Sequence, residues 1–158
     1  IYTNNHSIGE AMGGTMGAIL QIFFNAGEAS LRSPKWLESE SSARTGDQKA
    51  GAAWCQAFVV GVERVEVIGR AKPGMRTVLD AVEPSARVLR EKGPAGDTPI
   101  VSGFGEAVKA AEDGAQSTCD MEALAGRANY VSAEALEGIP DPGAKAAAYA
   151  LRALSKAF

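Results

Sequence analysis

Two stretches of the chain set glycine against the start of an amphipathic pattern. Gly13-Gly14-Thr15-Met16-Gly17 runs directly into one of them. Glycine lets backbone N–H groups come close to a ligand, and the first turn of a helix carries partial positive charge, so such a junction can hold phosphate. Gly69-Arg70-Ala71-Lys72-Pro73-Gly74-Met75-Arg76-Thr77 is a basic loop ending at a candidate capping threonine, a second place for an anion. Its glycines are spaced like those of a Walker A loop. Met75 and Arg76 fill the lysine and hydroxyl positions, however, and a helical pattern precedes it instead of a strand, which excludes a P-loop. A third region joins Ala125-Gly126-Arg127-Ala128-Asn129-Tyr130 to Asp141-Pro142-Gly143-Ala144. Small neighbours let the Arg127 guanidinium lie against a helix or a ligand, and Asp-Pro is a strong helix start. Taken singly, each feature also has a purely structural reading: tight packing for the Gly-Gly pair, a solvated connection for the basic loop, a cap and nothing more for Asp141.

Other chemistries lack their residues. His6 is the one histidine and sits near the chain end, which argues against a His-based triad or a zinc site. Cys55 and Cys119 fall on different helical patterns with no second metal ligand nearby. Glu38 and Glu40 lie in a polar stretch, and Glu63 with Glu66 reads as a solvated helix face. No residue is therefore assigned a catalytic or metal-binding role. A net charge of -3 and a pI near 5.2, with no dense Lys/Arg block, argue against nucleic acid as a partner. The longest uncharged stretch, 11–27, is too polar for a membrane span, and no secretory signal precedes it. Two cysteines make no disulfide framework, and the expected location is cytoplasmic.

The elements that must position these residues are helices. Alanine and glycine dominate, strand patterns are nearly absent, and five stretches carry a helical period. The first is 15–31, with Ile19, Ile22, Phe23 and Ala26 on one face. The second is 47–68, with Trp54, Phe58, Gly61, Val65 and Ile68. The third is 77–92, with Val78, Val82, Ala86 and Leu89. The fourth is 101–117, with Phe104, Ala107, Val108, Ala111 and Ala115. The last is 142–158, with Ala144, Ala147, Leu151, Leu154 and Phe158. Asp47, Thr77 and Asp141 are expected N-caps and Gly69 a C-terminal stop. The link 93–99 is rich in Gly and Pro, and 32–46 is a serine-rich surface excursion. With 158 residues and no internal repeat, the chain reads as one all-α domain, an antiparallel bundle.

Taken in order, the segments resemble the nucleotide-binding L domain of the dihydroxyacetone kinase family, in its single-chain eukaryotic form. The matching pieces are Met12 to Ala18, Gly69 through Pro73 to Ala81, Ala125 to Tyr130 and Pro140 to Ala144. The resemblance implies an antiparallel barrel of helices that binds Mg-ATP at one end. Thr15 and Met16 match the glycine-flanked pair at the phosphates, Gly69 a glycine beside the nucleotide, and Thr77 and Val78 a Thr-Met pair. Asp141, Pro142 and Gly143 match the Asp-Pro-Gly that closes over the nucleotide. Two departures stand out. The family's Gly-Asp-Arg-Thr reads Gly74-Met75-Arg76-Thr77, and its aspartate-rich Mg2+ motif is missing from this chain. The resemblance therefore implies a domain shortened at its N-terminus, with the metal-binding part and the dihydroxyacetone-binding K domain elsewhere. The parent would transfer phosphoryl from ATP to a small keto-triose and form a homodimer, while the 158 residues alone would be inactive. Two competing readings keep the fold and change the role. One is the L-type domain of a phosphotransferase-dependent or fatty-acid kinase, the other a noncatalytic oligomerisation module.

Overall fold

The computed structural model describes residues 12–33, 46–92 and 100–156, and within them every regular element is helical. Helix α1 is Gly14–Leu31, α2 Gly46–Gly69, α3 Leu79–Lys92, α4 Ile100–Ser117, α5 the single turn Ala133–Leu136, and α6 Pro142–Ser155. Two 3-10 turns, Thr118–Asp120 and Arg127–Tyr130, lie between α4 and α5.

Close approach at glycine sets the antiparallel order. A Cβ on Gly61 of α2 would meet the Phe23 ring at 2.6 Å, and one on Gly27 of α1 would stand 3.3 Å from the Ala57 carbonyl oxygen. Four residues forward along α1 is thus four residues back along α2. Arg90 of α3 pairs with Glu63 of α2 at 2.8 Å, which ties these two helices together. Gly114, late in α4, lies against the Asp80 carbonyl at the start of α3, and Lys92 at the end of α3 pairs with Glu106. Arg152 reaches Glu112 at 3.1 Å while Lys145 reaches Gln116 at 3.0 Å, so α6 runs opposite to α4. The starts of α1, α3 and α6 consequently share one end of the molecule with the ends of α2 and α4.

Two apolar clusters hold the helices together. The first centres on Cys55, Val59, Val62, Val65, Leu79, Ala86, Leu89 and Ala107, with Phe23, Phe58 and Phe104 packed against it. The rings of Phe23 and Phe58 meet edge to face at 5.5 Å. The second is an alanine seam, in which Ala81, Ala111, Ala115, Ala144 and Ala148 pack with Val108 and Leu151 between α3, α4 and α6.

Several expectations need correction. Trp54 and Ile68, placed on the buried face of α2, are 67% and 50% exposed, because the core stripe of that helix follows Cys55, Val59, Val62 and Val65. On α6 the buried line is Ala144, Ala148 and Leu151, which turns Leu154 outward. Asp47 lies inside the first turn of α2, which begins at Gly46. Gly69 is the last helical residue, and the left-handed position after it is held by Arg70 at φ 57°. The third helix begins at Leu79, leaving Thr77 and Val78 in the preceding turn. Most of the 32–46 excursion, the 93–99 link, His6 and Phe158 lie outside the described residues.

Candidate functional site

The three phosphate-binding candidates of the sequence meet at the shared end. Gly14 takes φ 79°, which only glycine adopts freely, as the chain turns into α1. Thr15 and Met16 follow in its first turn. The Met16 side chain crosses to the start of α6: its Cε lies 3.2 Å from where a Cβ on Gly143 would stand. The Val78 Cβ is 3.8 Å and Asp141 Oδ1 3.1 Å from that same point. Met16, Val78, Asp141 and Gly143 thus come from three distant parts of the chain to one place. The register of α1 against α2 also brings the last turn of α2, with Gly69, alongside the first turn of α1. Gly69 is exposed with no described atom within 4 Å of its Cβ direction.

Each helix start is organised by its own sequence. Asp141 accepts a hydrogen bond from the Ala144 amide at 2.8 Å, and Pro142 follows at the first helical position, where a missing N–H costs nothing. At α3, Thr77 Oγ1 accepts from the Leu79 amide at 3.2 Å while Asp80 Oδ2 accepts from the Thr77 amide at 2.7 Å, a reciprocal arrangement close to a capping box. The other Asp80 oxygen accepts from the Gly74 amide, so one buried carboxylate closes the whole turn. Met75 folds back so that its Sδ accepts from the Lys72 amide at 3.3 Å. The start of α1 carries no side-chain cap on Gly13.

Arg127 joins the group from the segment between α4 and α5: its Nη2 is 4.0 Å from the Cβ direction of Gly14. A guanidinium, the first amides of three helices and exposed glycine backbone thus offer N–H donors at one end, set beside the C-terminal ends of α2 and α4 and the Asp80 and Asp141 carboxylates. The chemistry this suits is retention of a polyanion. Among the described residues no group of three His, Cys, Asp or Glu could hold a metal, and no helix is long and apolar enough to cross a membrane.

Sequence reasoning missed two residues that build this end, Arg76 and Thr118. Both are buried, 1% and 0% exposed. A charged residue inside a loop reads as solvated, so Arg76 gives no signal in one sequence. The usable hint is its place directly after Gly74-Met75, in a turn too short to keep every side chain outside.

Comparison with known proteins agrees with this architecture. Residues 4–156 match the DAK2 domain family. The chain is 40% identical over 151 residues to a protein of Solanum lycopersicum named as a candidate 3,4-dihydroxy-2-butanone kinase, covering 96% of this chain and 24% of that one. It is 38% identical over 146 residues to the triokinase/FMN cyclase of Homo sapiens, covering 92% and 22%. The crystal structure of the dihydroxyacetone kinase of C. freundii, in its native form, superposes with a TM-score of 0.62 at 27% identity, over 98% of this chain and 22% of that one. The chain therefore spans about a quarter of the length of the curated relatives it matches.

Proposed function

The chain belongs to the DAK2 domain family, and from that premise we propose that it forms the nucleotide-binding part of an ATP-dependent dihydroxyacetone kinase. The observation that carries this reading is the meeting of Met16, Val78 and Gly143 where three helices begin. The relatives bear kinase names, and a kinase needs a floor that neutralises phosphate oxygens and fixes the transferred group in line. Backbone amides at the starts of α1, α3 and α6 would supply that floor. Thr15, Met16 and Thr77 would line it, Gly69 would flank the nucleotide, and the Asp141-Pro142-Gly143 turn would close over it. The glycine at 143 leaves the space that a side chain would fill.

Among the described residues no group of three or more His, Cys, Asp or Glu could hold a metal by itself, and the reading places no Mg2+ ligand among them. Mg2+, its ligands and the dihydroxyacetone site would come from other parts of the parent, whose product would be a phosphorylated keto-triose. A homodimeric, cytoplasmic parent accords with this reading. The 158 residues alone are expected to turn over no ATP with dihydroxyacetone.

Calorimetric titration of the chain with ADP tests the reading. Weak, saturable binding is expected. In Gly143→Ala the added methyl would press on Met16 Cε at 3.2 Å and Asp141 Oδ1 at 3.1 Å, so affinity should fall on the order of tenfold, about 1.4 kcal/mol. Absence of ADP and ATP binding at millimolar concentration, or a Gly143→Ala variant that binds like the wild type, would refute it.

A further inference from the structure

Arg76 is 1% exposed and forms no ion pair among the described residues. A buried guanidinium without a carboxylate is costly, because its desolvation is expensive and no opposite charge offsets it. Here the charge is met by two backbone carbonyls. Nε donates to the Thr118 oxygen at 3.2 Å and Nη2 to the Ile139 oxygen at 2.7 Å, while Nη1 is buried without a partner. The backbone of Arg76 is itself in the left-handed region, φ 58°, which a non-glycine residue enters only under constraint.

The two carbonyls belong to different parts of the molecule. Thr118 follows the last residue of α4, where the negative end of the helix dipole favours a cation. Ile139 lies two residues before Asp141. Thr118 adds a second tie, since its Oγ1 accepts from the Asp141 amide at 2.7 Å and donates to the Ala115 carbonyl at 2.6 Å. On the chain side, Arg76 immediately precedes Thr77 and Val78. One guanidinium therefore connects the wall bearing Val78 to the wall bearing Gly143, behind the point where both meet Met16.

We propose that Arg76 is a positioning residue, setting the separation of the Thr77–Val78 and Asp141–Gly143 walls from behind without touching the ligand. The inference rests on the nucleotide reading of those walls. A planar donor fork suits the task, because it can hold two carbonyls at once, whereas a lysine ammonium lacks the fixed geometry.

The test compares Arg76→Met, Arg76→Lys and Thr118→Val with Leu89→Ala, a core variant ten residues along α3. Two measurements are made where each variant is fully folded: ADP affinity by calorimetry and amide hydrogen exchange at Asp141 and Ala144. Arg76→Met should weaken ADP binding by about tenfold or more and speed exchange at both amides at least as much. Arg76→Lys should recover part of each, and Leu89→Ala should leave ADP affinity within about twofold and speed exchange at the two amides no more than its loss of global stability accounts for. If Arg76→Met does not fold, Arg76→Lys and Thr118→Val carry the same comparison, with smaller losses expected. The proposal is overturned if exchange at Asp141 and Ala144 is unchanged in the Arg76 variants, or if Leu89→Ala loses affinity to the same extent. Should the wild type bind no nucleotide, the nucleotide reading fails by itself, and the exchange comparison still decides whether Arg76 fixes the Asp141 turn.

Discussion

Substituting Gly114 by alanine sets two opposed effects against each other, and the coordinates decide which wins. In a helix interior alanine is favoured over glycine by about 1 kcal/mol. At Gly114 the new Cβ would stand 2.0 Å from the Asp80 carbonyl oxygen, 3.1 Å from its carbon and 3.4 Å from Ala81 Cα. All three are backbone atoms, so no rotamer change relieves them. A carbon and a carbonyl oxygen rest roughly 3.3 Å apart, so α3 and α4 would have to part locally by roughly 1.3 Å. Such overpacking costs about 1–3 kcal/mol and occasionally more. Parting the helices also loosens the Ala81, Ala111 and Ala115 contacts of the alanine seam. We expect a net loss of about 2 kcal/mol, which at this chain length lowers the melting temperature by roughly 4–8 °C. Gly105 on the same helix is the control. It is exposed, with no described atom within 4 Å of its Cβ direction, so Gly105→Ala should raise the melting temperature by roughly 2–4 °C. Thermal melts followed by far-UV circular dichroism read both. A Gly114→Ala protein as stable as the wild type would show that α3 and α4 do not touch closely at Gly114 and Asp80.

Other expectations follow from single contacts. Asp141→Ala removes the acceptor of the Ala144 amide and should cost about 0.5–2 kcal/mol in urea unfolding, with Asp141→Asn recovering most of it. Leu89→Ala, in the first cluster, should cost about 2–5 kcal/mol by the same measurement. Burial pushes the Cys55 thiol above its ordinary value of 9.0, so the native state keeps its proton where the unfolded chain loses it. That contribution to stability is complete below pH 9.0 and declines as pH rises through the higher native value. A disulfide-exchange reagent at pH 8 should therefore modify Cys119 first and Cys55 only at the rate of opening, and equal rates for the two would contradict this.

The period of the apolar residues made most of the fold legible in the sequence. Ala107, Val108, Ala111 and Ala115 lie inward as their spacing requires, and Asp141-Pro142 starts its helix as residue chemistry dictates. Misplaced faces have a common cause. A helix packed on two neighbours has a stripe wide enough that several periodic lines fit it; the core uses the middle of the expected line, Gly61 and Val65, and leaves its ends, Trp54 and Ile68, exposed. The loops were legible in outline only. Gly69 reads in the sequence as the C-terminal stop of its helix, yet it is the last helical residue and Arg70 takes the left-handed conformation after it. The 3-10 turns and α5 are too short for any period to show. In the candidate site the residues at helix starts were visible because capping has a local vocabulary. Arg76 was invisible because its partners, Thr118 and Ile139, stand 42 and 63 positions away along the chain, and Thr118 because its tie to the Asp141 amide spans 23.

The alanine seam has a consequence for how this end of the protein responds to heat. Leucine or methionine at such an interface must surrender rotational freedom each time the helices dock, whereas a methyl on Cβ has none to surrender. Docking along the seam therefore costs little side-chain entropy beyond that of Val108 and Leu151, so its alanine contacts gain comparatively little side-chain disorder on melting. Methyl relaxation measured across a temperature series should find the Val59, Val62 and Leu89 methyls of the first cluster softening before the Ala111, Ala144 and Ala148 methyls of the seam.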